Sequence, residues 1–154
     1  MRLSAVTILA SLVLALSPLG EARASGGMFC SVEDDFAVVT IESGVTRGMG
    51  GPVFNFRATS FIRDDAVAGD LRNTSYDGEH LAQYWLDGEE LRLLLYRERA
   101  EGAHGYVQIE LRTTADEEGL YRGSYDMTVF DLTGDSTGEG RTFKHGGSVE
   151  CFVE

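Results

Sequence analysis

Tyr106-Val107-Gln108-Ile109-Glu110-Leu111-Arg112 is the stretch that decides the fold. Val107, Ile109 and Leu111 alternate with Gln108, Glu110 and Arg112, a period of two that sends apolar side chains to one face and polar ones to the other. This is the pattern of an antiparallel strand with one face on a core and the other in water. On either side, short segments repeat the theme. Phe36 to Ile41 is β-branched, and Val53 to Ile62 alternates with Phe54, Phe56, Ala58 and Ile62 on one face. Leu120 to Asp131 groups Tyr121, Tyr125, Met127 and Val129, and Arg141 to Val153 groups Phe143, Val149, Cys151 and Val153. Phe54, Phe56, Tyr121 and Phe143 share faces with aliphatic residues and are expected in the core.

Between these segments lie glycine-rich or acidic clusters at 44–51, 64–69, 77–78, 87–88, 100–105, 116–119 and 134–140. Turn signals at that spacing, with no long helical period, predict an all-β domain of seven or eight antiparallel strands, closed as a barrel or sandwich. Two segments compete with this reading. Glu89 to Glu101 holds strong helix formers behind a capping-box-like Asp87 and Glu90, yet Leu91, Leu93 and Leu95 also share one strand face, with Asp87-Gly88 as the hairpin turn. The strand is preferred. The stretch from Asp64 to Asn73 suits a single helical turn.

The N-terminus carries an address. Arg2 precedes an uncharged stretch from Leu3 to Leu16, Pro18 and Gly20 then interrupt it, and Ala22-Arg23-Ala24 presents the small residues a signal peptidase reads. A bilayer-spanning helix needs about 20 apolar residues, so residues 1–24 read as a removed signal peptide and 25–154 as one domain, with no transmembrane anchor after cleavage. The expected location is outside the cytoplasm, periplasmic in a bacterium and secreted otherwise. Cys30 and Cys151 then stand at opposite ends of the mature chain in an oxidising compartment, and are expected to form a disulfide. That bond requires the first and last strands to be close, and with the strand alternation it predicts residues 29–43 pairing with 141–153.

Charge narrows the partners. The 154 residues carry 13 Lys+Arg against 25 Asp+Glu, a formal net charge of -12; without Arg2, Glu21 and Arg23 the mature chain has 11 basic and 24 acidic residues. Nucleic acid is excluded as a partner, because phosphate affinity needs clustered Lys and Arg. The acidic residues are dispersed and cluster mainly at turns, as on a well-solvated surface.

Chemistry-bearing motifs are sparse. His80, His104 and His145 lie far apart in sequence with no close metal-ligand pair, there is no Gly-x-Ser-x-Gly elbow, and Gly48-Met49-Gly50-Gly51 precedes neither a helix nor a Lys. No catalytic residue and no cofactor is therefore assigned. Asp131, Asp135 and Glu139 are weak calcium candidates, since Ser136 and Thr142 occupy the EF-hand positions that need Gly and Glu. Asn73-Thr74-Ser75 is a glycosylation sequon. Tyr84 and Trp85 are consecutive, so on a strand one points outward and is a candidate contact. Arg47 and Met49 in the Gly44 to Gly51 loop join Trp85 as the expected partner-binding residues.

In length, export and terminal disulfide the chain resembles small calycin-like β-barrels and the small barrel inhibitors of secreted hydrolases. That likeness is architectural, since the Gly-x-Trp motif of lipocalins is missing. The expected function is a non-catalytic binding module of the cell envelope or secretome that holds a protein partner, in the manner of an inhibitor. A barrel holding a small apolar ligand is the alternative, and an enzyme or calcium-binding protein the second.

Overall fold

A computed structural model describes residues 25–46, 52–117, 119–133 and 137–154. Nine strands form one antiparallel sheet: β1 (Ser25–Glu33), β2 (Ala37–Thr46), β3 (Val53–Ile62), β4 (Asn73–Asp77), β5 (Leu81–Asp87), β6 (Glu90–Glu98), β7 (Gly105–Glu117), β8 (Leu120–Asp131) and β9 (Arg141–Val153). Their order is β4-β3-β2-β1-β9-β8-β7-β6-β5, so the first and last strands are neighbours at the centre and the sheet curls into a nearly closed barrel. The predicted signal peptide, Arg47, Met49 and Asp135 lie outside the described residues.

The β1–β9 junction is where the terminal cysteines meet. The expected pairing of 29–43 with 141–153 is cut to four residues, because residues 37–46 turn back along β1 as β2 and most of β9 pairs with β8. Met28–Ser31 of β1 pair with Glu150–Val153 of β9, and Cys30 sits directly opposite Cys151. Their sulfurs bond at 2.05 Å, both side chains facing the core. Beyond Ser31 the two strands part. The gap is filled by the β1–β2 turn, whose Asp34 reaches Tyr125 on β8.

Period-two alternation holds along the long strands. Leu91, Leu93 and Leu95 of β6, Val107, Ile109 and Leu111 of β7, and Tyr125, Met127 and Val129 of β8 are all buried, and together with Val39, Ile41 and Ile62 they fill the barrel. Within the 89–101 segment the chain forms strand β6 (Glu90–Glu98) and no helix, as its leucine alternation predicts. Its turn is a two-residue hairpin loop with Gly88 at φ 37°, a backbone geometry glycine tolerates. The helical turn within 64–73 is α1 (Gly69–Arg72).

Two further expectations need correction. The strand count is nine because Asn73–Asp77 forms β4, pairing with Arg57–Phe61 of β3 and burying only Thr74 and Tyr76. Five residues with two inward side chains give too short a pattern to separate from a loop. Phe54 is not in the core: it is 42% exposed on the outer face. The β2–β3 register shifts between Glu42 and Gly44, and Asn55 takes a positive φ of 51°. This bulge turns Phe56 inward and Phe54 outward, where its ring covers Gly44; a Cβ there would sit 2.3 Å from the ring. Phe56 and Tyr121 are buried, and Phe143 packs against the core.

Candidate partner-binding face

The barrel nearly closes through a composite strand. β4 runs beside β3 in one half of the molecule, a one-turn 3₁₀ helix at Gly78–His80 shifts the chain across, and β5 continues beside β6 in the other half. The shift is fixed locally. Asp77 Oδ1 accepts the Glu79 amide at 3.0 Å and lies 2.7 Å from His80 Nδ1. Bonding to the His80 ring and the Glu79 amide lowers the Asp77 pKa, holding it ionised as a cap. The Arg97 guanidinium on β6 donates to the Ser75 carbonyl on β4, closing the seam in that half. In the other half, among the described residues, β5 pairs with β6 alone.

This placement exposes β5. The pairs Tyr84↔Leu93 and Trp85↔Arg92 send Tyr84 to the core side and Trp85 outward. Trp85 is 54% exposed; Tyr84, though on the inward face, is still 39% exposed because none of the described strands covers its edge. Trp85 and Gln83 border an open groove of about 760 Å³ whose floor and far wall include Arg92, Leu94, Gln108 and Glu110. Ion pairs Arg92–Glu90 at 3.0 Å and Arg112–Glu110 at 2.7 Å run along the outer face of β6 and β7. At the adjacent barrel mouth, Val45, Pro52, Leu86, Ala115, Tyr121 and Val153 line a second open pocket of about 650 Å³. Thr46 and Pro52, which bracket the loop containing Arg47 and Met49, lie at the same end as the β5–β6 turn.

The opposite end holds two polar clusters. Asp34 Oδ1 accepts the amides of Phe36 and Ala37 at 2.8 Å each, while Oδ2 accepts the Tyr125 hydroxyl at 2.5 Å and lies 3.2 Å from His145 Nε2. Burial opposes ionisation of Asp34, yet the Tyr125 hydroxyl, the two amides and His145 outweigh it and bring its pKa to about 2. His145 also stacks on Phe36 with ring centroids 4.5 Å apart. Gly147 makes room for the cluster: a Cβ there would stand 2.8 Å from Asp34 Oδ2 and 2.9 Å from the Tyr125 ring.

The second cluster centres on Arg99, whose guanidinium meets Asp70 through Nε at 2.5 Å and Nη2 at 3.1 Å, Asp131 Oδ1 at 3.0 Å and the Ala103 carbonyl at 2.7 Å. Asp131 is fully buried, and burial opposes its ionisation, but bonding to Thr133 and the charge of Arg99 hold its pKa below the usual carboxylate value. Its second oxygen faces Arg141 at 3.5 Å. Of the calcium candidates, Asp131 is thus engaged with two guanidinium groups and Glu139 is exposed. No group of three metal-capable side chains comes together among the described residues.

Sequence reasoning singled out Trp85 but not the two clusters. Asp34 and Tyr125 are 91 residues apart and Arg99 and Asp131 are 32 apart, so no local spacing announces either contact. No protein-family model, no curated protein and no solved structure matches the chain, and the reading rests on the residues themselves.

Proposed function

We propose that the protein is an exported, non-catalytic module that binds a protein partner through the exposed face of β5, with Trp85 as the central contact. One observation carries the reading: the sole tryptophan of the chain stands more than half exposed on an edge strand beside an open groove. An exposed indole is the residue type that most often dominates a protein interface. The polar clusters at the far end support a scaffold role, since their polar groups turn on one another and pin loops. Export is supported by the Leu3–Leu16 stretch and by a disulfide between the chain ends.

The small-ligand alternative has one favourable observation, the apolar lining of the mouth pocket. Core side chains occupy the interior among the described residues, so this alternative rests on that open mouth. Placing a photo-crosslinking residue at position 83, beside Trp85 on the same outward face, in the exporting cell tests the proposal. Discrete protein adducts are expected from position 83 and none from position 148, an exposed site on β9. Adducts absent from 83, or equal from both positions, would overturn it.

A further inference from the structure

β5 has one strand neighbour. It stands last in the sheet order, so among the described residues no strand pairs with its outer edge. A row of unpaired backbone N–H and C=O groups is a template for a further strand, and proteins ordinarily blunt such edges with charge, Pro or bulges. Leu81-Ala82-Gln83-Tyr84-Trp85-Leu86 has neither a charged residue nor a Pro, and its pairing irregularity falls at one end, by Ala82. The other edge is treated differently: β4 is five residues long, ends in Asp77, and has a carbonyl taken by Arg97.

We infer that β5 accepts an extended segment of a partner protein by strand addition, the segment carrying basic residues at both ends. This rests on the protein-binding reading above and specifies its mode. Such recognition takes affinity from main-chain hydrogen bonds and specificity from alternate side chains, here those meeting Tyr84 and Leu86 on one face and Gln83 and Trp85 on the other. The charge requirement comes from the flanks. No Lys or Arg occurs from Asp77 to Leu91, and the exposed residues Glu79, Asp87 and Glu89 bracket the strand. The nearby ion pairs use Asp77 with His80 and Glu90 with Arg92 instead. A second copy of this chain fits poorly. Antiparallel self-pairing centred on Tyr84 sets Glu79 opposite Glu89 at both ends, and like charges placed opposite one another destabilise a strand pair.

Four synthetic peptides test this on the intact domain: an alternating Val/Thr peptide with Arg at both ends, the same core with Glu at both ends, and the Arg-ended peptide N-methylated on alternate residues in each of the two registers. The readouts are Trp85 emission and amide exchange of Leu81–Asp87. The Arg-ended peptide is expected to bind saturably, shift Trp85 emission to the blue and slow exchange in β5. The Glu-ended peptide and one N-methylated register should bind at least about ten-fold more weakly. Equal binding of both methylated registers, unchanged exchange in β5, or sedimentation as a dimer with β5 already protected would overturn strand addition. Adducts from position 83 without exchange protection would remove strand addition alone, whereas protection without adducts would remove the cellular reading alone.

Discussion

Replacing Asp34 with Asn probes whether the β1–β2 turn is held by a carboxylate or merely by shape. Asp34 bonds two backbone amides through one oxygen and Tyr125 and His145 through the other, in the gap where β1 and β9 part. Its pKa falls from 3.8 to about 2 on folding. That difference corresponds to about 2 kcal/mol of stability at neutral pH. Because the folded value is the lower one, the unfolded chain binds the proton more readily. The contribution is therefore complete above about pH 5 and is lost as pH falls through 3.8 toward 2. Urea denaturation of both proteins across pH 7 to 2 should find Asp34→Asn less stable by about 2 kcal/mol at pH 7, with the two curves converging near pH 2. Tyr125→Phe, which removes the hydroxyl donor but keeps the ring, should move the wild-type-like fall in stability to higher pH. A stability gap that stays constant from pH 7 to 2 would refute the argument, since a loss of shape alone does not titrate.

Three further outcomes follow from the packing. Breaking the Cys30–Cys151 bond, whose partners are 121 residues apart, releases about 5 kcal/mol of loop-closure entropy to the denatured chain, so Cys30→Ser/Cys151→Ser should lower the urea midpoint accordingly; a loss below about 1 kcal/mol would mean the four-residue β1–β9 ladder closes the barrel unaided. Arg99→Met leaves buried Asp131 with Arg141, 3.5 Å away, and the Thr133 amide, and should cost about 3–5 kcal/mol in the same assay, part of it recovered by adding Asp131→Leu. Gly44→Ala should destabilise the protein because its Cβ meets the Phe54 ring, and the same change in a Phe54→Ala background should be near neutral, a coupling of about 1 kcal/mol in a double-mutant cycle.

Fold class was legible because it depends on short-range alternation. The Val107, Ile109, Leu111 pattern and the leucines of β6 survive in the structure side chain by side chain. The Cys30–Cys151 placement carried topology as well, since it required the chain ends to be adjacent and they are. What escaped was decided by contacts between distant residues. Phe54 follows the strand pattern of its neighbours, and only the bulge at Asn55, matched to a glycine on the facing strand, turns it outward. β4 exists because β3 offers it an edge, not because five polar-rich residues demand a strand. Trp85 was legible as a candidate, but the exposure of Tyr84 beside it depends on where β5 sits in the sheet order, which no local pattern encodes.

The composite closing strand links the architecture to the proposed activity. A full-length strand between β3 and β6 would cover both edges and bury Tyr84; splitting it at Gly78–His80 satisfies β3 in one half and β6 in the other, leaving half an edge open on β5. An open uncharged edge ordinarily invites self-association. This chain carries a formal charge of -12, and carboxylates stand at both ends of the open strand, so two copies repel where a basic segment is attracted. The same acidic flanks that keep the edge from pairing with itself therefore select what it can pair with, and neutralising them with Glu79→Gln and Glu89→Gln should both weaken binding of the Arg-ended peptide and raise the tendency of the protein to dimerise, two changes that sedimentation and Trp85 emission separate.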